Sequence, residues 1–186
     1  MLVILDRDGV INYDSPDYIK SPAEWKAIPG SLEAIAKLNR AQHQVVIASN
    51  QSGLARGYFS PTALEAIHQK LHDELASTGG HIDGIFFCPH SPDDQCACRK
   101  PKPGLLQQIA QAFPDDFSQA VVIGDSLCDI QAAQAAGCSA WLVKTGNGTE
   151  TLDKYPELIG QARIFKDLAE AVQSLLSAGS ESNDNT

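Results

Sequence analysis

Basic residues are in short supply: 14 Lys and Arg stand against 23 Asp and Glu, a formal net charge of −9. That balance excludes a broad nucleic-acid-binding face, which needs a basic surface. It leaves room for a few clustered cations to hold a small anion. Long apolar runs are missing too. No stretch approaches the ~18–20 apolar residues of a membrane span. The opening MLVILDRDG lacks the basic segment and cleavage site of a secretory leader, so a cytoplasmic protein with no membrane partner is expected. Internal repeats are absent, and 186 residues at 43% hydrophobic content suit one domain with one core. No long exposed apolar patch is evident, and a monomer is expected.

What is present is an alternation. MLVIL (1–5), QVVIAS (44–49), GIFFC (84–88), AVVIG (120–124) and AWLVK (140–144) read as short buried strands. Between them lie amphipathic helices at 31–39, 60–76, 103–113 and 126–137, and a last one at 166–177. Ser60 is placed to cap the second, with Pro61 at its first turn, and Gly137 to close the fourth. The pattern predicts an α/β domain over residues 1–177: a Rossmann-like parallel sheet with helices on both faces. The polar segment 178–186 is expected to be disordered. Residues 9–30 and 89–102 break the rhythm, and both fall at the carboxyl edge of the sheet, where ligands gather in such folds.

Chemistry-bearing residues follow the strands. Asp6 and Asp8 follow the first, Ser49-Asn50-Gln51-Ser52-Gly53 end the second, Arg99 and Lys100 come after the third and its loop, and Asp125 and Asp129 follow the fourth. The carboxylates make a hard oxygen site suited to Mg²⁺. The hydroxyl and following N–H groups make a phosphate cradle, and the lysine neutralises charge on a transferred group. A carboxylate attacking a phosphoryl dianion meets repulsion of about 4 kcal/mol per pair of unit charges at 4 Å and an effective dielectric near 20. The cations are what make Asp6 usable as a nucleophile. Taken singly, DRDG is as readily a turn, SNQSG a loop and GDS a helix cap; their joint order after successive strands is what carries the signal.

The stretch FFCPHSPDDQCACRKPKPG (86–104) places Cys88, His90, Cys96 and Cys98 in the spacing C-x-H-x5-C-x-C. Four soft or borderline donors fill a closed tetrahedral Zn²⁺ site. The polar, turn-forming flanks are a poor place to bury free thiols, so a structural zinc loop over residues 88–98 is expected. Zinc would order a segment with too little apolar content to order itself and would fix Arg99 and Lys100. Three thiolates and Zn²⁺ sum to −1, a charge that these two cations are expected to counter. Cys128 and Cys138 read as ordinary packing, and Arg7 could equally be a structural side chain on the sheet or a further cation for the substrate.

DRDGV, SN, the lysine of RKPKPG and GDSLCD resemble, in order and position, the four motifs of the haloacid dehalogenase superfamily of phosphatases, over roughly residues 1–145. The resemblance implies that Asp6 forms an aspartyl-phosphate and that Asp8 protonates the leaving oxygen and then activates water. It also implies Mg²⁺ on Asp6, the Asp8 carbonyl and Asp125, and a phosphoryl group held by Ser49 and Lys100. The zinc loop, NQSG, ARGYFS and CRKPKPG narrow it to the D-glycero-D-manno-heptose 1,7-bisphosphate 7-phosphatases and the related histidinol-phosphate phosphatases. The former act in making ADP-heptose for lipopolysaccharide core. On that likeness Arg99 reads the substrate, with Arg56 and Lys102 behind it for a second phosphate. Ser49, Asn50, Gln51 and Ser52 line the phosphate and sugar site, and Asn12, Asp14 and Tyr18 contact the sugar. NYDSPDYI is one residue longer than the family's segment and lacks its Asp-x-Gly-Tyr pattern. There is no room for a large cap domain. A sugar bisphosphate is the expected substrate. Three alternatives remain open from the sequence: histidinol phosphate, whose amine would favour Asp14 and Asp17; a nucleic-acid 3′-phosphate; and a non-catalytic, zinc-stapled interaction module.

Overall fold

Val3 and Leu5 face one way from the first strand, Leu2 and Ile4 the other, and all four are fully buried. A strand apolar on both sides has to lie inside a sheet covered on both faces. The computed structural model, which describes the backbone of residues 1–181 and side chains as far as residue 178, shows that arrangement. Six parallel strands run β3-β2-β1-β4-β5-β6: β1 (Leu2–Leu5), β2 (Gln44–Asn50), β3 (Gly84–Cys88), β4 (Val121–Gly124), β5 (Ser139–Val143) and β6 (Arg163–Phe165). The register sets Leu5 beside Ile47 on one side and Ile123 on the other.

The helices are α1 (Ser31–Arg40), α2 (Pro61–Ser77), α3 (Gly104–Ala112), α4 (Leu127–Ala136), α5 (Gly148–Lys154), α6 (Pro156–Ile159) and α7 (Leu168–Glu181). Val3, Leu5, Val45, Ile47, Val121 and Ile123 pack against α1, α2 and α7 through Ile35, Leu38, Ile67, Leu71 and Val172. The alternate residues Leu2, Ile4, Val46, Ala48 and Val122 pack against α3 and α4 through Leu105, Leu106, Ile109, Ala132 and Ala133. The period of two along each strand thus sorts the core into two layers. Strand order reverses between β1 and β4, which is where such sheets open a crevice at their carboxyl ends. Asp6 begins at that point, its N–H donating to Ile123 O at 3.0 Å.

The five strands expected from the sequence are all present, with ends shifted by a residue or so. The sixth is an addition. β6 is three residues long with Arg163 and Ile164 exposed, and an edge strand that short has no apolar run to announce it. The helices α5 and α6 are likewise additions, too short to show a period. The last helix continues to Glu181, past the expected boundary at 177; of the tail expected to be disordered, residues 182–186 lie outside the described residues. No large cap domain interrupts the fold: the insertion between β3 and α3 carries a single 3-10 turn, Pro92–Asp94. Among the described residues no helix is long and apolar enough to cross a membrane.

Both expected caps form. Ser60 Oγ accepts from Ala63 N–H at 3.1 Å. Gly137 closes α4 at φ 77, donating to the carbonyls of Ala133 and Gln134. Ser60 lines no part of the carboxyl-edge crevice, so Ser60→Ala should lower unfolding stability by about 1 kcal/mol and leave turnover unchanged. Urea unfolding and a phosphate-release assay on the same sample check both halves.

Candidate active site

The loops after β1, β2 and β4 enclose a cleft of about 290 Å³. Asp6, Asp8, Asp14, Tyr18, Ser49, Asn50, Gln51, Arg99 and Asp125 line it together. Lys100 lies beneath the floor, nearly fully buried. Its Nζ stands 3.2 Å from Asp6 Oδ2 and donates to Asp129 Oδ1 at 2.5 Å and to Ala48 O at 2.6 Å. Its backbone is tied to Asn50 in both directions, Lys100 N–H to Asn50 Oδ1 and Asn50 Nδ2 to Lys100 O, each at 3.1 Å. Sequence positions far apart thus converge through the sheet edge.

Asp6, Asp8, Asp125 and Asp129 crowd together here, and burial shifts two of them. Burial raises the Asp6 carboxyl well above its ordinary value; Lys100 works against that, and Asp129, Asp125 and Asp8 add to it. Burial, then Asp129, pushes Asp125 up to about 7, although Asn147 opposes it. Burial alone would lower Lys100, but Asp129 and then Asp6 outweigh it and push its pKa up. Lys100 and Arg7, the latter paired with Asp8 at 2.8 Å, do not balance this much negative charge, and that surplus is what a divalent cation fits. The carboxylate oxygens of Asp6, Asp125 and Asp129 lie within 4.8 Å of one another. Asp129 is already committed to Lys100 and, through Oδ2, to Ser126 N–H and Oγ, which leaves Asp6 and Asp125 as the available ligands.

Two glycines make room for Asp125. A Cβ on Gly9 (φ +81) would lie 2.1 Å from Asp125 Oδ2, and one on Gly146 (φ +56) 2.2 Å from the same atom. Asn147 holds that oxygen from the backbone N at 2.7 Å and from Nδ2 at 3.1 Å, and the same Nδ2 donates to Asp14 Oδ2 at 3.0 Å. The loop after β5 is therefore part of the site, which the sequence reading missed. Its signal was available: TGNG (145–148) follows a strand, as the other motifs do.

Some expected residues land elsewhere. Ser52 does not line the cleft; it is buried in the turn after β2, its carbonyl accepting from Arg56 N–H at 3.1 Å. Asn12 is fully buried and donates to Asp8 Oδ1 and Tyr13 O, so it lies under the site rather than on the sugar side. Cys128, read as packing, lines the cleft beside Ser126. Burial pushes its thiol up to about 12, which leaves it a poor nucleophile. Tyr18 takes a left-handed backbone conformation (φ 65) and packs on Tyr58 with centroids 5.1 Å apart.

Cys88, His90, Cys96 and Cys98 converge as expected. The sulfurs are 3.1–3.6 Å apart, and His90 Nδ1 is 3.6 Å from Cys88 Sγ and 3.4 Å from Cys98 Sγ. A tetrahedron with Zn–S bonds of about 2.3 Å has edges of about 3.8 Å, so the donors need only a few tenths of an ångström to close on zinc. Arg99 Nη1 reaches His90 O at 3.4 Å. Lys100 does not counter the cluster's charge; its ammonium is spent on Asp6 and Asp129. Lys102 instead holds the loop, donating to Gln95 O and Cys96 O at 3.0 and 2.8 Å, and these bonds turn it away from a second phosphate.

The HAD-hydrolase-like family pattern matches residues 97–171. A D-glycero-β-D-manno-heptose-1,7-bisphosphate 7-phosphatase of Bordetella bronchiseptica is 54% identical over 177 residues, covering 94% of this chain and 97% of that protein. One of Pseudomonas aeruginosa is 52% identical over 176 residues, with coverages of 94% and 97%. The crystal structure of D,D-heptose 1,7-bisphosphate phosphatase from B. bronchiseptica, complexed with magnesium and phosphate, superposes with a TM-score of 0.92 at 54% identity, covering 95% of this chain and 98% of that one. That from Burkholderia thailandensis gives 0.72 at 42% identity, covering 95% and 98%.

Two expectations follow from the geometry. Asp125 binds its proton more tightly in the folded, metal-free protein than in the unfolded chain. The stability this supplies is present below pH 3.8 and is lost as pH rises toward about 7. Thermal melts in chelator should show that decline, and Mg²⁺ should remove it. Purified protein should hold about one zinc per chain, and Cys98→Ser should lower both zinc content and melting temperature, measured by elemental analysis and calorimetry.

Proposed function

The chain belongs to the D-glycero-D-manno-heptose 1,7-bisphosphate 7-phosphatases of the HAD-like hydrolases, and from that premise we propose how its own residues carry the reaction. The substrate is the heptose bisphosphate and the bond broken is the 7-phosphate ester. Asp6, at the end of β1, supplies the attacking carboxylate oxygen. Its neighbour Lys100 lies 3.2 Å away, close enough to offset the repulsion between that carboxylate and an incoming phosphoryl dianion. Ser49 Oγ accepts from Gln51 Nε2 at 2.7 Å, so its own proton is free for a phosphoryl oxygen. In the first half of the reaction an Asp6 oxygen bonds to phosphorus, the bond to the sugar oxygen breaks, and Asp8 gives that oxygen a proton. In the second half water displaces Asp6 and Asp8 takes the water's proton.

Asp6, the Asp8 carbonyl and Asp125 would hold Mg²⁺, the ion named in the bordetellar structure; when bound it shields phosphoryl charge and orients the group for attack. Arg99, Asn50 and Gln51 line the cleft where the sugar and its second phosphate would lie, together with Asp14 and Tyr18. The observation that carries the reading is the convergence of Asp6, Lys100 and Asp125 at the strand-order switch point. Asp14, offered above as a counter-charge for the amine of histidinol phosphate, is hydrogen-bonded to Asn147 instead, which favours the sugar over the amine. A binding module that needed only zinc would have no use for a buried Lys100–Asp6 pair.

The proposed setting is a monomer in the cytoplasm. The cleft is complete within one chain, and a cluster of three free cysteines keeps its zinc-binding thiolates in a reducing compartment.

Phosphate release should be at least tenfold faster per unit concentration from heptose 1,7-bisphosphate than from histidinol phosphate, and should require Mg²⁺. Asp6→Asn should abolish turnover while its circular dichroism and melting stay near those of the parent. Equal rates on the two substrates, or an active Asp6→Asn, would overturn the assignment.

A further inference from the structure

Arg7 is fully buried, and no step above uses it. Its backbone N–H donates to Asp6 Oδ1 at 2.7 Å. Its guanidinium turns back to Asp8, through Nε to Oδ1 at 3.1 Å and through Nη2 to Oδ1 at 2.8 Å and Oδ2 at 2.9 Å. Asn12 Nδ2 adds a bond to Oδ1 at 2.8 Å, and Gln51 Nε2 one to Oδ2 at 3.1 Å. The amide orientation of Asn12 is fixed by its second partner, the carbonyl of Tyr13, and Gln51 Nε2 donates also to Ser49 Oγ. Every contact on Asp8 is therefore an N–H donor. Each of its oxygens faces at least two, so the carboxylate is gripped at both ends.

Packing does not explain this arginine. Arg7 Nη1 and Asn12 Oδ1 are buried with no hydrogen-bond partner among the described residues. Burying a guanidinium with an unsatisfied N–H sacrifices stability that an apolar side chain of similar volume would keep. The return has to lie in what the guanidinium does to Asp8.

We propose that Arg7 is a positioning residue for the hydrolytic half of the reaction: with Asn12 and Gln51 it fixes the Asp8 carboxylate where it takes the proton of the attacking water. This rests on the reading of Asp8 as the proton carrier. In that half a water oxygen bonds to phosphorus, the P–O bond to Asp6 breaks with its electron pair returning to the Asp6 carboxylate, and the water's proton passes to Asp8. The proton given to the sugar oxygen in the first half is thereby restored. Gln51 connects the halves, because one nitrogen contacts both the proton acceptor and the hydroxyl that holds the phosphoryl group.

The test is Arg7→Lys, which keeps the charge but cannot span both oxygens of Asp8. It is compared with the parent and with Asp8→Asn as Mg²⁺-loaded enzymes, on heptose 1,7-bisphosphate and on 4-nitrophenyl phosphate, whose leaving group needs no proton. Arg7→Lys should lose about tenfold or more in kcat on both substrates; on 4-nitrophenyl phosphate, whose phosphorylation step does not need Asp8, KM should fall in step so that kcat/KM holds within about threefold. Acid quenching during turnover of 4-nitrophenyl phosphate should trap more phosphorylated Asp6 than in the parent. Unchanged kinetics, a loss of kcat/KM on 4-nitrophenyl phosphate as large as that of kcat, a loss confined to the sugar substrate, or no rise in phosphoenzyme trapped with 4-nitrophenyl phosphate would each overturn the proposal. An Asp8→Asn enzyme that turns over the bisphosphate like the parent would overturn the reading of Asp8 instead. Should Arg7→Lys not fold, Asn12→Ala removes one donor from the same carboxylate. The same pattern at about threefold supports the proposal, and its absence sinks it.

Discussion

The site depends on a buried lysine set among carboxylates. Lys100 reaches Asp6 at 3.2 Å and Asp129 at 2.5 Å from below the cleft floor. Without it, four acidic side chains gathered at one sheet edge would repel one another in a medium that screens poorly. Asp129 pins the lysine from the far side and is itself pinned by Ser126 at the start of α4. The ammonium is thereby held where a phosphoryl group has to arrive, and a buried pair of this kind is too costly to form unless its geometry is fixed in advance.

What fixes it is a loop with little apolar content of its own. Residues 89–103 leave β3 and return at α3, and their order comes from polar ties: Ser91 N–H to Asp94 Oδ2, Lys102 to two carbonyls, and the convergence of Cys88, His90, Cys96 and Cys98. Zinc in that cluster would convert metal affinity into loop order. Arg99 and Lys100 follow the last ligand directly, one facing the cleft and the other buried under it, so the loop places a cation on each side of the cleft floor. Asp14 is tied to the metal side by Asn147, which bonds both it and Asp125.

Much of this was legible in the chain. The alternating runs announced five of the six strands, because a parallel strand buried on both faces must be apolar throughout. The missed strand, Arg163–Phe165, is a short edge with two exposed residues, and nothing in composition separates it from a loop. The motifs after β1, β2 and β4 were visible for a related reason: a strand end that carries Asp, Ser or Asn beside Gly departs from the apolar pattern around it. Ser52, Asn12 and Cys128 were misplaced because the direction in which a loop side chain points depends on turns that no period reports. Arg7 was left open between a structural side chain and a cation for the substrate, whereas its side chain reaches the carboxylate next to it in sequence.

The sequence by itself determined the architecture, the order of the reactive residues along the strand ends and the donor set for zinc, since each is written in local spacing and in the chemistry of adjacent side chains. Tertiary structure alone decided which carboxylate meets which cation. Lys100 chooses Asp6 and Asp129 over the zinc thiolates, and Asn147 joins Asp125 to Asp14 across the site. Those pairings hold residues dozens of positions apart, and their energies turn on a few ångströms and on exclusion of water, quantities that exist only once the sheet has closed.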